Sequence, residues 1–385
     1  MPGNSGRTTR ISPLRDSILS PDITLGESCL FETTLHSRSG SAKRAILHVG
    51  THKTGTTAIQ RTLAANTDYL AKYGIHWPMF GRGPAHHLLS TSTLERGLVP
   101  FVQRCYIRRK IVLAPQSCQT VVISSEKIYR MGFEFFERRP QNTRKNFQRR
   151  HDFLRRLRKV LTGFDVQVLI FLRRVDEFAE SLFKELLFRK KYTGALDFTE
   201  FLDHQRPLFD YKTQIQTMSE HLGPVKVLSY EQACRDGLLR TFCHELGVDP
   251  PPDSRTGMYR IRPSPSNFAA RFLMRLASEC DLDFIKRNQI LEFCLSNAWK
   301  DNYGSRSSSL WTSLKSRQSF LDEFADASLL EQFSDSVTEY TDCTLSENDY
   351  RNIRRLFERW LEDRNRCDSS SSRLSSFFPF REKNY

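Results

Sequence analysis

Residues 45–65 read AILHVGTHKTGTTAIQRTLAA, a short apolar run that meets a glycine-containing turn and then a helical pattern. The run AILHV (45–49) has the composition of a buried strand. A helix is predicted over 57–73, ending at Gly74 after a basic last turn. A strand that turns directly into a helix aims several backbone N–H groups and the positive helix end at one point, which makes that point an anion site.

What anion the turn holds depends on where its cation sits. Gly50 and Gly55 keep the spacing of the G-x-x-x-x-G-K-[ST] loop, in which lysine follows the second glycine and a hydroxyl ligates magnesium. Here Thr56 occupies the lysine position, and Lys53 precedes Gly55 by two residues. The stretch VVISSE (121–126) ends in Ser124, Ser125 and Glu126, with no Asp to serve as the usual magnesium-binding acid. Metal-dependent phosphoryl transfer loses support on both counts, and no metal is expected.

Three further apolar runs, TVVIS (120–124), VQVLIFL (166–172) and VKVLS (225–229), each lead into a helical pattern. Near-continuous apolar strands alternating with helices predict an α/β fold, a parallel sheet flanked by helices in three layers. Other helices are predicted over 177–189, 210–222 and 237–246. Beyond DPPPD (249–253) the patterns are helical without clear strands, so the C-terminal third reads as a helical elaboration. The expected organisation is a flexible extension (1–43), an α/β core (44–250), a helical part of the same domain (251–366) and a flexible tail (367–385).

With 58 Lys and Arg against 44 Asp and Glu, the net charge of +14 concentrates anions at the surface without choosing among them. Nine cysteines without C-x-x-C or zinc-finger spacing read as buried, reduced thiols, and no apolar segment is long enough to span a bilayer. No signal peptide opens the chain, so a cytoplasmic location is the expectation. Segment 137–160 carries ten Arg or Lys against two acids; its apolar residues are expected to pack on the sheet with the basic ones facing out, either simply solvated or recruiting an acidic polymer.

HVGTHKTGTTAIQ (48–60) resembles the 5′-phosphosulfate loop of the PAPS-dependent sulfotransferases, and especially bacterial members with H-x-G-x-x-K-T-G-T-T. The resemblance covers roughly residues 45–231. It implies a P-loop NTPase-like sulfotransferase fold and transfer of a sulfuryl group from PAPS, leaving PAP, to a hydroxyl acceptor, with a carbohydrate or glycan expected. In that reading His52, Lys53, Thr54, Gly55, Thr56 and Thr57 hold the donor's 5′ end, and Lys53 neutralises the bridging oxygen as the bond breaks.

The same family carries an Arg at the end of a later strand and a Ser eight residues on, both on the 3′-phosphate. Arg173 and Ser181 match that spacing, with Arg174 as the substitute if the strand ends one residue later. Arg262 and Ser266, in IRPSPSN (261–267), resemble a late loop that returns to the donor. For the base, GIHWPMFGRGPAHHLLSTS (74–92) presents His87, preferred, and His86, while Glu126 competes from the neighbouring strand end. His48 alternates within its strand and reads as structural. Two other readings stay open: a P-loop kinase of a small metabolite and a basic polyanion- or nucleic-acid-binding protein. Nucleic acid is not expected as a partner, because nothing but charge supports it.

Overall fold

Five strands, β1 (Lys43–His48), β2 (Ile75–His76), β3 (Thr120–Ser124), β4 (Phe164–Leu172) and β5 (Val225–Ser229), form one all-parallel sheet in the order β2-β3-β1-β4-β5. The computed structural model describes residues 43–51, 54–80, 83–133, 143–188, 197–252, 265–279, 284–303, 309–324 and 345–370, all within the unit Ala42–Tyr385. His52, Lys53 and Arg262 lie outside the described residues, as do the expected extension through residue 42 and the stretch 371–385.

Parallel neighbours cannot be joined by tight turns, so each strand must be followed by a crossover, and the helices supply it. Side chains alternate across the pleat. In β1, Ala45 and Leu47 join one apolar layer with Val121, Ile123, Val168 and Ile170. Ile46 joins the opposite layer with Val122, Leu169 and Phe171. The first layer is closed by α3 (His87–Leu94), α4 (Leu98–Val112), α6 (Thr143–Val160), α7 (Val175–Leu187), α8 (Phe198–Phe209) and α9 (Tyr211–Leu222). The second is closed by α1 (Thr56–Ala65), α2 (Thr67–Lys72) and α11 (Leu238–Leu246). Each fully buried large apolar side chain in these layers contributes about 1.5–3 kcal/mol. The sheet is therefore covered on both faces, as its strand compositions predict.

Several boundaries differ from the sequence expectation. The single helix over 57–73 is two helices, because Asn66 closes one and opens the next. Its Nδ2 donates to the Thr62 carbonyl at 2.8 Å, its N–H donates to the Leu63 carbonyl at 3.1 Å, and its own carbonyl accepts from Leu70 at 3.1 Å. β2 is two residues long and leaves no periodic trace to read. The short α5 (Lys127–Arg130) and α10 (Tyr230–Asp236) also escape a pattern search. The last helix, α16 (Glu347–Ser370), runs four residues into the stretch expected to be a tail.

The basic segment is corrected in one respect. In α6, Phe153, Leu154, Leu157 and Val160 are buried as expected, but not every arginine faces water. Arg156 donates to the carbonyls of Thr93 and Leu94 at 2.7 and 2.9 Å, and Arg158 to that of Phe164 at 3.2 Å. Arg150 is fully buried between the Phe133 and Phe153 rings and donates to the carbonyls of Ile128 and Met131. Arginine forks here satisfy backbone oxygens that would otherwise be buried without donors. A run of basic residues in sequence does not distinguish that role from a solvated face. The cysteine reading is corrected similarly: Cys118, Cys243 and Cys294 are buried and unpaired, whereas Cys234 is exposed.

The C-terminal helices α12 (Asn267–Glu279), α13 (Phe284–Leu295), α14 (Asn297–Tyr303), α15 (Leu314–Phe324) and α16 share the first apolar layer through Phe272, Phe293, Trp299 and Phe357. Their polar anchor is α7. Asn267 Nδ2 donates to Glu180 at 2.8 Å, and Arg317 Nε of α15 donates to Asp176 at 2.7 Å. Asp176, 1 % exposed, also takes a two-pronged contact from Arg174 at 2.7 and 3.0 Å. Burial alone would raise the Asp176 carboxyl, but Arg174, followed by Arg317, more than offsets that and holds it below the ordinary 3.8.

Removing one partner from a buried charge cluster leaves the others uncompensated. Asp176→Asn is therefore expected to cost about 3–5 kcal/mol in chemical denaturation. A carboxyl whose folded pKa is depressed contributes stability that is complete above its unfolded pKa and is lost as pH falls through the folded value. Denaturation midpoints followed downward through 3.8 should thus fall more steeply for the parent chain than for Asp176→Asn. Parallel pH curves would contradict the assignment.

Candidate functional site

The carboxyl ends of β1, β3 and β4 deliver three polar segments to the same edge of the sheet, where α/β folds bind ligands. After β1 the chain is held to β4: Val49 N–H donates to the Leu169 carbonyl at 2.9 Å and Thr51 Oγ1 to the Phe171 carbonyl at 3.2 Å. Thr54 Oγ1 donates back to the Thr51 carbonyl at 2.7 Å. Gly55 then takes a left-handed conformation, φ 66°, and α1 starts at Thr56.

Both glycines are required by space. A Cβ on Gly50 would stand 2.5 Å from Thr56 Cγ2, and one on Gly55 2.3 Å from Leu238 Cδ2. Gly55 also combines that contact with a backbone angle that other residues rarely adopt. The helix start carries no side-chain cap among the described residues and no acid in its first turn. Ala58 N–H already donates to the Gly55 carbonyl at 2.9 Å, so the helix start offers the Thr56 and Thr57 N–H groups and its positive end to something outside the helix.

Beside this turn runs a line of acid, base and hydroxyl groups. Thr56 Oγ1 donates to Glu126 Oε2 at 3.0 Å, and Glu126 Oε1 lies 3.9 Å from His87 Nε2. His87 Nδ1 is 3.2 Å from Ser125 Oγ, which is 2.7 Å from Ser90 Oγ. His87 opens α3, and its side chain is 31 % exposed, against 22 % for Glu126, so both are reachable from the edge. Burial lowers His87 to about 4; Glu126 opposes this, and Lys127 and Arg130 add to it. At neutral pH the imidazole is uncharged and can accept a proton.

The two neighbouring histidines are committed elsewhere. His86 is buried, with Nδ1 accepting from the Ser124 N–H at 2.8 Å and Nε2 2.6 Å from the Pro78 carbonyl. Both ring nitrogens are thus occupied in the Nε2–H tautomer. His48 is fully buried against Phe171 and Phe242, with Nδ1 2.8 Å from Ser124 Oγ. Burial lowers each of them to about 3.

At the end of β4 the two arginines divide. Arg174 is buried on Asp176, whereas the Arg173 side chain is 25 % exposed and bonds Glu177 Oε2 through Nε and Nη2 at 3.1 and 2.8 Å. Glu231 lies 3.9 Å away, and the guanidinium sits 5.8 Å from the centre of the Tyr230 ring. That ring also borders the loop: the Cβ position of Gly55 is 3.9 Å from Tyr230 Cε2. Loop and arginine therefore both border a single aromatic side chain. Ser181 lies deeper, 6 % exposed within α7, and no hydrogen bond joins it to Arg173 among the described residues. Ser266 opens α12, where its Oγ accepts from the Ala269 N–H at 3.1 Å.

The sequence reading thus finds Gly55, Thr56, Glu126 and His87 in one place, with Arg173 opposite. It misses Ser90, Ser125 and Tyr230 as neighbours of these groups, since contacts 35 or more residues apart along the chain have no local pattern. A scan against protein-family models finds no match for this chain, and neither does a search of curated proteins.

Gly55→Ala is expected to destabilise the chain by about 1–2 kcal/mol through the left-handed backbone alone. Adding Leu238→Ala to that variant opens the space but leaves the backbone angle, so thermal unfolding should recover only in part. Full recovery in the double variant would mean that the turn has no conformational requirement.

Proposed function

We propose that this chain transfers the sulfuryl group of PAPS to a hydroxyl on a carbohydrate acceptor. The observation that carries the reading is the line from Thr56 through Glu126 to His87, which sets a neutral base beside an uncapped helix start. The loop suits the donor's 5′ end, since the positions of Gly50 and Gly55 are ones that a Cβ would fill. Arg173 suits the 3′-phosphate, as the more exposed guanidinium of the pair and the one that shares the Tyr230 ring with the loop.

PAPS supplies the group that is transferred and PAP is its other product. Each residue then has a defined task. Thr56 and Thr57 hydroxyls and the N–H groups after Gly55 orient the 5′-phosphate. Lys53, by its place in the loop sequence, neutralises the bridging oxygen as charge builds on it. With Nδ1–H donating to Ser125, His87 presents Nε2 as the proton acceptor for the attacking hydroxyl. The resulting imidazolium faces the Glu126 carboxylate, which stabilises it. His86 and Arg174 act as structural supports in this scheme, and Ser181 shapes the helix behind Arg173.

One contact favours a second reading. A carboxylate on a hydroxyl just after the second glycine is also what a magnesium-dependent phosphoryl-transfer site would use, and Glu126 bonds Thr56 in that way. Magnesium-dependent ATP turnover that exceeds sulfate transfer to every glycan tested would establish that reading instead.

Lys53→Ala should lower transfer of labelled sulfate from PAPS by about 10²–10³-fold, the usual cost of removing one charge-stabilising group. His87→Ala should lower it by about 10²–10⁴-fold, as for a general base. Because burial keeps His87 well below 6.5, kcat/KM in the parent chain should show no acidic limb at that value. Unchanged transfer in either variant, or a limb near 6.5, contradicts the assigned roles.

A further inference from the structure

Where α6 crosses α9, His151 meets the consecutive residues Glu220 and His221. His151 Nδ1 and His221 Nε2 are 2.7 Å apart, with the rings nearly perpendicular at 75°. One oxygen of Glu220 completes a group of three ligand atoms that all lie within 4.8 Å of one another. Gln216 Nε2 donates to Glu220 Oε1 at 2.9 Å, which holds the carboxylate while leaving its second oxygen available. None of these residues has a task in the reaction proposed above, and the following inference rests on no part of it.

We propose that His151 Nδ1, His221 Nε2 and a Glu220 carboxylate oxygen form a binding site for one divalent transition-metal ion of the zinc type, which clamps α6 to α9. Two imidazole nitrogens pointing at each other can coexist only with a proton between them, so the pair already has the arrangement in which a cation bridges two lone pairs. Tetrahedral zinc with Zn–N bonds of 2.0–2.1 Å holds neighbouring ligands about 3.3 Å apart, so the pair need open by only about 0.6 Å from its 2.7 Å separation. The shared proton moves to an outer ring nitrogen, a change of tautomer that leaves both imidazoles neutral and requires no other reactant.

The ligand set also selects the ion. Two imidazoles and one carboxylate suit zinc, nickel or copper, whereas calcium and magnesium require mostly oxygen ligands. The surrounding charge is mixed. His221 is felt by Arg150 and Arg155 as well as by Glu220, and Arg155 is itself paired with Asp152. Glu220 is exposed and both histidines are half-buried, so an ion can enter from solvent and a water can take the fourth position.

The test uses the full chain, stripped with a chelator and then titrated with zinc and, separately, with cobalt(II). The parent chain should bind one zinc ion that is lost in His151→Ala, with affinity weakened more than about 100-fold, since even residues that merely orient a ligand cost 10–100-fold. Zinc should raise the thermal midpoint of the parent chain and not that of the variant. Glu220→Gln, a change at an exposed position that keeps the side chain's shape, should weaken zinc binding without altering the metal-free midpoint. Bound cobalt should show visible d–d bands without a thiolate charge-transfer band. The proposal is overturned if no zinc binds. It is equally overturned if His151→Ala and Glu220→Gln both take up zinc like the parent chain, or if cobalt reports thiolate ligation.

Discussion

The left-handed turn at Gly55 is the constraint on which the rest of the site depends. A parallel strand ends pointing out of the sheet, and the chain must reverse within a few residues to lay α1 back on the second apolar layer. The tight reversal needs a residue that tolerates φ 66° and has no Cβ to meet Leu238. Once it is made, the helix start points at the carboxyl edge of the sheet with no side-chain cap among the described residues. Glu126 from the end of β3 and Tyr230 from the end of β5 then stand on either side of that point because their strands are parallel to β1 and in the same sheet.

Charge is distributed with the same economy. The excess of basic residues does not coat the surface uniformly, since Arg150, Arg156 and Arg158 turn inward to carbonyls and Arg174 is locked by Asp176. These buried guanidinium groups tie peripheral helices to the sheet and leave Arg173 as the more exposed partner at the end of β4. Adjacent arginines in a sequence can therefore have opposite roles. Both reach acids at the start of α7, but Arg174 shares the buried Asp176 with Arg317 of α15, whereas Arg173 pairs with Glu177 beside the Tyr230 ring.

Much of the fold was legible in the sequence because its signals are local. Four strands are continuous apolar runs, and the alternation of strand and helix dictates a parallel sheet with two covered faces. Asn66 and the two-residue β2 were not legible, since a helix break made by one side chain and a strand of two residues leave no period. For the site, the glycine loop and the strand ends pointed to Thr56, Glu126, His87 and Arg173. What separates His87 from His86 is not in the sequence at all. It is that the backbone of Ser124 and Pro78 occupies both nitrogens of His86, a contact that exists only after the loop folds beside β3.

In the proposed function, the loop at Gly55 and the guanidinium of Arg173 grip the two phosphate-bearing ends of one adenosine nucleotide. Calorimetric titration of the full chain with PAP in magnesium-free buffer tests it most directly. One PAP should bind per chain, with affinity that falls sharply in Arg173→Ala and is unaffected by added magnesium. Absence of PAP binding, alongside binding of ATP that requires magnesium, would contradict it.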